Sequence, residues 1–90
     1  MGYNTVTVTT TATEIVAANS QRKDVDIANT DAGEIVYIGP DSSVTTSNAI
    51  PLYPQQTRDK PKMLSEHWKG PIFGIVGTGT ADVRYWEVTQ

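Results

Sequence analysis

"DIANTDAGEIVYIG", Asp26 to Gly39, decides the fold class of this chain. Its flanks are rich in β-branched residues, Ile27 on one side and Ile35 to Ile38 on the other, and "NTDAG", Asn29 to Gly33, separates them. Asn and Asp side chains satisfy nearby backbone in turns, and glycine takes positive φ without steric cost. The stretch therefore reads as two β-strands with a turn between them. Upstream, "DVDIAN" alternates, so Val25 and Ile27 point to a core while Asp24 and Asp26 face water. Downstream, Ile35 and Tyr37 share one face and Val36 and Ile38 the other. A strand apolar on both faces is expected to lie centrally, covered by a second sheet on one side and by a loop or neighbour on the other. Gly39-Pro40-Asp41 stops it.

The same alternation extends in both directions. In "NTVTVTTTATEIV", Val6 and Val8 share one face, with Thr5, Thr7 and Thr9 on the other. The run Thr9-Thr10-Thr11 loses that rhythm and Ile15-Val16 resumes it, which predicts two short strands separated by a bend. "SQRK" supplies a turn. "DSSVTTSNA" reads as a polar surface loop or weak edge strand anchored by Val44. "IPLYP" carries Pro51 and Pro54, which lack an N–H and so belong at a sheet edge or across the mouth of a sandwich. "PIFGIVGTG" and "ADVRYWEV" are the last two strands, with Gly77 and Gly79 read as hairpin turn residues and Phe73 as core. "MLSEHWKG" is read as a strand or irregular crossover. The fold class is all-β: a small antiparallel β-sandwich or jelly roll of seven or eight short strands, with a small closed barrel as the alternative. The division is an extended N-terminal arm or first strand over 1–13, a single sandwich domain over 14–90, and a loop insertion around 55–68.

Composition bounds the function. The 90 residues carry no cysteine, which excludes disulfides and thiolate metal sites. A domain this small hides only about 60–65% of the surface its unfolded chain exposes, so a partner or second copy is a natural source of extra burial. Net charge is −3, and the two short basic stretches, Arg22-Lys23 and Arg58 to Lys62, read as solvated loop charge rather than a nucleic-acid footprint. No secretory leader, membrane span or Asn-x-Ser/Thr acceptor is visible, which predicts a soluble acidic molecule without glycan. Thirteen threonines and five serines among the 90 residues favour water-facing strand surface over helix.

Residues able to carry chemistry are few. His67 is the only histidine, and general acid–base work needs a base held by an orienting group beside a nucleophile. Beside Trp68 it reads as a surface or interface imidazole. Asp24, Asp26, Asp31, Glu34 and Asp41 offer oxygen ligands but not the spacing of a helix–loop–helix calcium site. "GTG" at Gly77 to Gly79 lacks the Lys-Ser/Thr sequel of a phosphate loop. The expectation is no enzyme activity, no cofactor and no metal. The aromatics say more: Trp68, Trp86 and Tyr53 are expected partly exposed, where an amphipathic ring serves an interface or stacks on a sugar.

Several of these segments together resemble a group of small bacteriophage virion proteins. The resemblance is carried by Ala18-Asn19, Arg22-Lys23, Asn29, "VYIG" at Val36 to Gly39, "VTTSN" at Val44 to Asn48, Pro51-Leu52, and "GTADVR" at Gly79 to Arg84. It departs from them at Ala49, where glycine is expected, and over 55–68, which is longer and more basic than their usual link. The resemblance implies a capsid decoration (cement) protein or head fibre, held on the virion by the major capsid protein or another virion protein. It also implies a homo-oligomer, with a trimer as the form the likeness favours, made in the host cytoplasm without nucleic acid or membrane as partner. A tail, neck or fibre module contacting a virion protein or host glycan is the alternative. The expected contact residues are Thr7, Thr9 and Thr11 on an arm that adds to a neighbouring sheet edge, Trp68 as an apolar anchor, Arg58, Lys60 and Lys62 as steering charges, and the exposed rings Tyr53 and Trp86.

Overall fold

A computed structural model describes residues 4–31, 33–54 and 68–89. Seven strands account for most of them: β1 (Asn4–Val8), β2 (Thr13–Val16), β3 (Arg22–Asn29), β4 (Val36–Gly39), β5 (Ile50–Leu52), β6 (Ile72–Ile75) and β7 (Ala81–Thr89). They form two antiparallel sheets, β1-β7-β3 and β2-β6-β4-β5. The molecule is a small β-sandwich. The threonine run falls between β1 and β2, as the broken rhythm predicts, and Thr13 Oγ1 donates to the Thr11 carbonyl at 2.8 Å to tighten that bend.

The core between the sheets is aliphatic. Val8, Ile15, Val16, Val25, Ile27, Val36, Ile38, Leu52, Ile72, Val76, Ala81 and Val83 are all buried in it. β4 sits inside its sheet between β6 and β5, with Val36 and Ile38 inward and Tyr37 half-buried outward. Val44 folds back from the β4–β5 loop onto the outer side of Gly39, where an added Cβ would lie 2.4 Å from Val44 Cγ1. At Gly39 the outer face of β4 is thus covered as well as the inner one, while Tyr37 stays half-buried.

Two expectations require correction. Phe73 is not core: it is half-buried on the outer face of β6, in register between Glu14 and Gly39. Strand parity forces this, because Ile72, Gly74 and Val76 already face inward. Gly74 is needed there, since a Cβ would come within 2.7 Å of Ile15 Cδ1 and 3.1 Å of Val36 Cγ1. Nor do Gly77 and Gly79 close a hairpin. β6 pairs with β2 and β4, whereas β7 pairs with β1 and β3, so the "GTGT" turn carries the chain from one sheet to the other. Gly79 makes that corner at φ 67°. The turn after Asn29 also crosses between sheets, joining β3 to β4.

Candidate interaction surface

Two buried polar side chains position the surface. Arg22 opens β3 and is fully buried, so it is not solvated loop charge. Its Nε donates to Glu87 Oε2 at 2.7 Å, Nη1 to the carbonyls of Trp68 and Gly70 at 2.9 and 3.0 Å, and Nη2 to that of Ala17 at 2.7 Å. Glu87 lies on β7, while Ala17 follows β2 and residues 68–70 lead into β6. One guanidinium therefore ties the two sheets together. A planar fork with five N–H donors suits such a carbonyl-lined site, where an ammonium would not. Lys69 Nζ donates in turn to the Arg22 carbonyl. At the far end of β3, buried Asn29 donates through Nδ2 to the carbonyls of Glu34 and Leu52 at 2.8 and 2.9 Å, and its Oδ1 accepts from the Asp31 N–H at 3.0 Å. β3 is thus fastened to the opposite sheet at both ends.

That fastening holds the outer face of the three-stranded sheet in place. Along β7, Ala81, Val83, Tyr85 and Glu87 face inward, and Asp82, Arg84, Trp86 and Val88 face out. Register places Thr7 beside Asp82, Thr5 beside Arg84, Asp26 beside Trp86 and Asp24 beside Val88. Trp86 is 42% exposed and Val88 40%. Arg84 Nη2 pairs with Asp82 Oδ2 at 3.1 Å, and Thr30 Oγ1 donates to the same oxygen at 3.0 Å. The result is a mixed face: an indole and a valine at one end, a tethered ion pair in the middle, and threonines along one side. Val88 escaped the sequence reading, although the period-two pattern running from Asp82 through Trp86 reaches it.

The other expected contact residues do not converge on this face. Thr7 lies on it, within a strand already paired to β7. Thr9 and Thr11 sit in the bend, where Thr9 Oγ1 donates to the Thr11 carbonyl at 3.2 Å and the Thr9 carbonyl accepts from Val76 N–H at 3.0 Å. Residues 4–8 are therefore a strand of this domain's own sheet rather than a free arm. Tyr53 is 49% exposed but follows β5, at an edge of the other sheet. Trp68 is half-buried against the core, its Nε1 donating to the Pro71 carbonyl at 2.7 Å and its ring so close over Gly70 that a Cβ there would sit 2.5 Å from Cζ2. That packing makes it part of the structure beneath Arg22. Arg58, Lys60, Lys62 and His67 lie outside the described residues.

Of the carboxylates considered for calcium, Asp31 and Asp41 serve turns, while Asp24 and Asp26 lie on β3. Asp31 Oδ2 accepts from the N–H groups of Gly33 and Glu34 at 3.0 and 2.8 Å, and Asp24 Oδ1 from that of Val25 at 2.8 Å. The Ser43 hydroxyl and then its N–H donate to Asp41, holding that carboxyl below its ordinary value of 3.8. Among the described residues, no three His, Asp or Glu side chains come together as a metal site. An open cleft of about 330 Å³ is lined by Glu34, Ile35, Tyr37, Thr46 and Thr78. Thr78 Oγ1 already donates to Glu34 Oε2 at 3.3 Å. No helix among the described residues is long and apolar enough to cross a membrane. Comparison with protein families, with curated proteins and with solved structures found no match to this chain, so its own residues and their arrangement carry the functional reading.

Proposed function

We propose that this chain is a structural virion protein of a bacteriophage, binding the outside of the assembled head as a decoration protein and reinforcing the boundaries between capsid subunits. The observation that supports this best is the outer face of β1-β7-β3, where Trp86 and Val88 stand exposed with charged and hydroxyl side chains around them. Aromatic anchors set within a polar surround are the usual composition of a protein-binding patch. The sequence resemblance to small virion proteins points to the same class of partner. Many copies acting together give what one modest interface lacks, because linked contacts raise effective concentration.

Occupancy on purified phage heads that lack the protein tests this reading. Wild type should bind and slow the release of DNA on warming. Trp86→Ala should lower occupancy on the order of tenfold or more, as loss of an aromatic hot spot does. Lys23→Ala, a change at an exposed charge, should leave it nearly unchanged. Equal binding by Trp86→Ala removes the face from the proposal. Failure of wild type to bind heads, with labelling confined to the tail or neck, replaces it with the tail-module alternative.

A further inference from the structure

We propose that β1 is a self-association edge, pairing antiparallel with β1 of a second copy to join two three-stranded sheets into one six-stranded sheet. A sandwich with two open sheets has four edge strands, here β1, β3, β2 and β5. Exposed edges invite pairing with other chains, and proteins blunt them with charge, proline, bulges or shortness. Three of the four are blunted. β3 carries Lys23, Asp24 and Asp26, with a register shift between Arg22 and Asp24. β2 has four residues, exposed Glu14 and a register shift between Glu14 and Val16. β5 has three residues with Pro51 at its centre.

β1 has none of these devices. Its five residues, Asn4–Val8, include no charge and no proline, and they stay in unbroken register with β7 from Asn4↔Tyr85 to Val8↔Ala81. Within the described residues, β7 is its only strand partner. The sequence is also complementary to itself. Thr5 and Thr7 hold the odd positions and Val6 and Val8 the even ones, with Asn4 the single polar even residue, so an antiparallel two-fold centred on Val6 sets threonine against threonine on one face and leaves Asn4 opposite Val8 on the other. With the axis at Val6, Val6 meets its own copy and Thr5 meets Thr7 of the second chain. Thr–Thr and β-branched cross-strand pairs are favourable neighbours. Val6, only half-buried at the present edge, would gain cover. A net charge of −3 opposes bringing copies together, and an edge free of charge is where that opposition is least.

The pairing is weak by itself. A five-residue strand pair falls short of the roughly 1,000 Å² that a stable interface buries, so a dissociation constant on the order of 100 μM is expected. It becomes effective where copies are already held close, as on a capsid surface, but it does not require that setting. The product is a two-fold dimer rather than the trimer that the resemblance implies.

Sedimentation equilibrium from micromolar to millimolar concentration tests it, using the full chain. Wild type should pass from monomer to dimer. Thr5→Lys/Thr7→Lys and Thr5→Glu/Thr7→Glu should each stay monomeric, because like charges then face each other across the two-fold. An equimolar mixture of the two variants should dimerise again. Mixed-isotope NMR on the unaltered chain gives the same answer without substitutions, through intermolecular contacts confined to residues 4–8. A wild type that stays monomeric at millimolar concentration overturns the proposal. So does a trimer or an open polymer, undiminished association of the charged variants, or intermolecular contacts elsewhere. Loss of dimerisation with retained head binding separates failure here from failure of the virion reading.

Discussion

β1 and β3 flank the same central strand, β7, yet they are secured by different physics. β3 is pinned at both ends by buried polar side chains, Arg22 and Asn29, whose partners lie on or beside strands of the opposite sheet. β1 relies on its ladder with β7 and on the burial of Val8. A pinned edge is fixed in register and poorly suited to accept another chain. Among the described residues, no strand pairs with the other side of β1. The contrast shows how a sandwich this small places its buried polar anchors on one edge of a sheet and leaves the other edge to ladder bonds and aliphatic packing.

The sharpest way to break the contrast is Arg22→Met. It leaves Glu87 without its guanidinium and the carbonyls of Ala17, Trp68 and Gly70 without that donor. Removing one partner of a buried charged network costs about 3–5 kcal/mol. That approaches the whole stability of a domain whose folded state is worth roughly 0.05–0.15 kcal/mol per residue. Urea denaturation measures it, and Thr7→Ala on β1 is the control, expected within about 0.5 kcal/mol of wild type as an exposed substitution. A loss below that of an ordinary surface change would show that Arg22 does not pin β3.

Asn29→Ala is next. The carbonyls of Glu34 and Leu52 and the Asp31 N–H lose their partner, which predicts a loss of about 2–3 kcal/mol. It should act on β3 and β5 together, read as a joint rise in amide exchange in both strands. Hydrogen exchange in the unaltered protein sharpens the comparison further. Amides of β7 that bond to β3 should open only with global unfolding. Those of β1 should exchange on the order of 100-fold faster through local fraying of an edge strand. Equal protection in β1 and β3 would erase the distinction.

The smallest effect belongs to Asp41, on the β4–β5 loop. Its carboxyl is held low by the Ser43 hydroxyl first and the Ser43 N–H second. A group whose folded value is depressed adds stability above its unfolded value, near 3.8, and loses it as pH falls through the folded value. An NMR titration should therefore place Asp41 below the other exposed aspartates. Asp41→Asn should barely move the melting midpoint at neutral pH, because the group is fully exposed.

Much of this architecture is legible in the chain. The period-two placement of Val25/Ile27, Val36/Ile38 and Val6/Val8 defines the inner faces, since a strand buries every second side chain and only one parity is apolar. The failure of that rhythm at Thr9 to Thr11 marks the break between β1 and β2, and Pro51 marks an edge, because both are consequences of local backbone chemistry. The exposure of Trp86 and Tyr53 follows from a core too small for their rings. Trp68 could not be assigned in the same way. Its indole folds back over Gly70 and bonds the Pro71 carbonyl, while its own carbonyl is held by Arg22, 46 residues away in the chain.

What the sequence determined by itself is the set of strands, their inward faces and the turns that end them, all fixed by residues within a few positions of one another. What only the tertiary structure decided is which sheet each strand joins and what its polar residues do. "NTDAG" and "GTGT" have the chemistry of hairpin turns, yet both lead from one sheet to the other. A turn's dihedral angles set the local reversal, whereas pairing is decided by which distant edge offers matching hydrogen bonds and apolar cover. Arg22 shows the same division, because beside Lys23 it has the local appearance of solvated charge. Four partners, at sequence separations from 5 to 65, make it the buried link between the sheets.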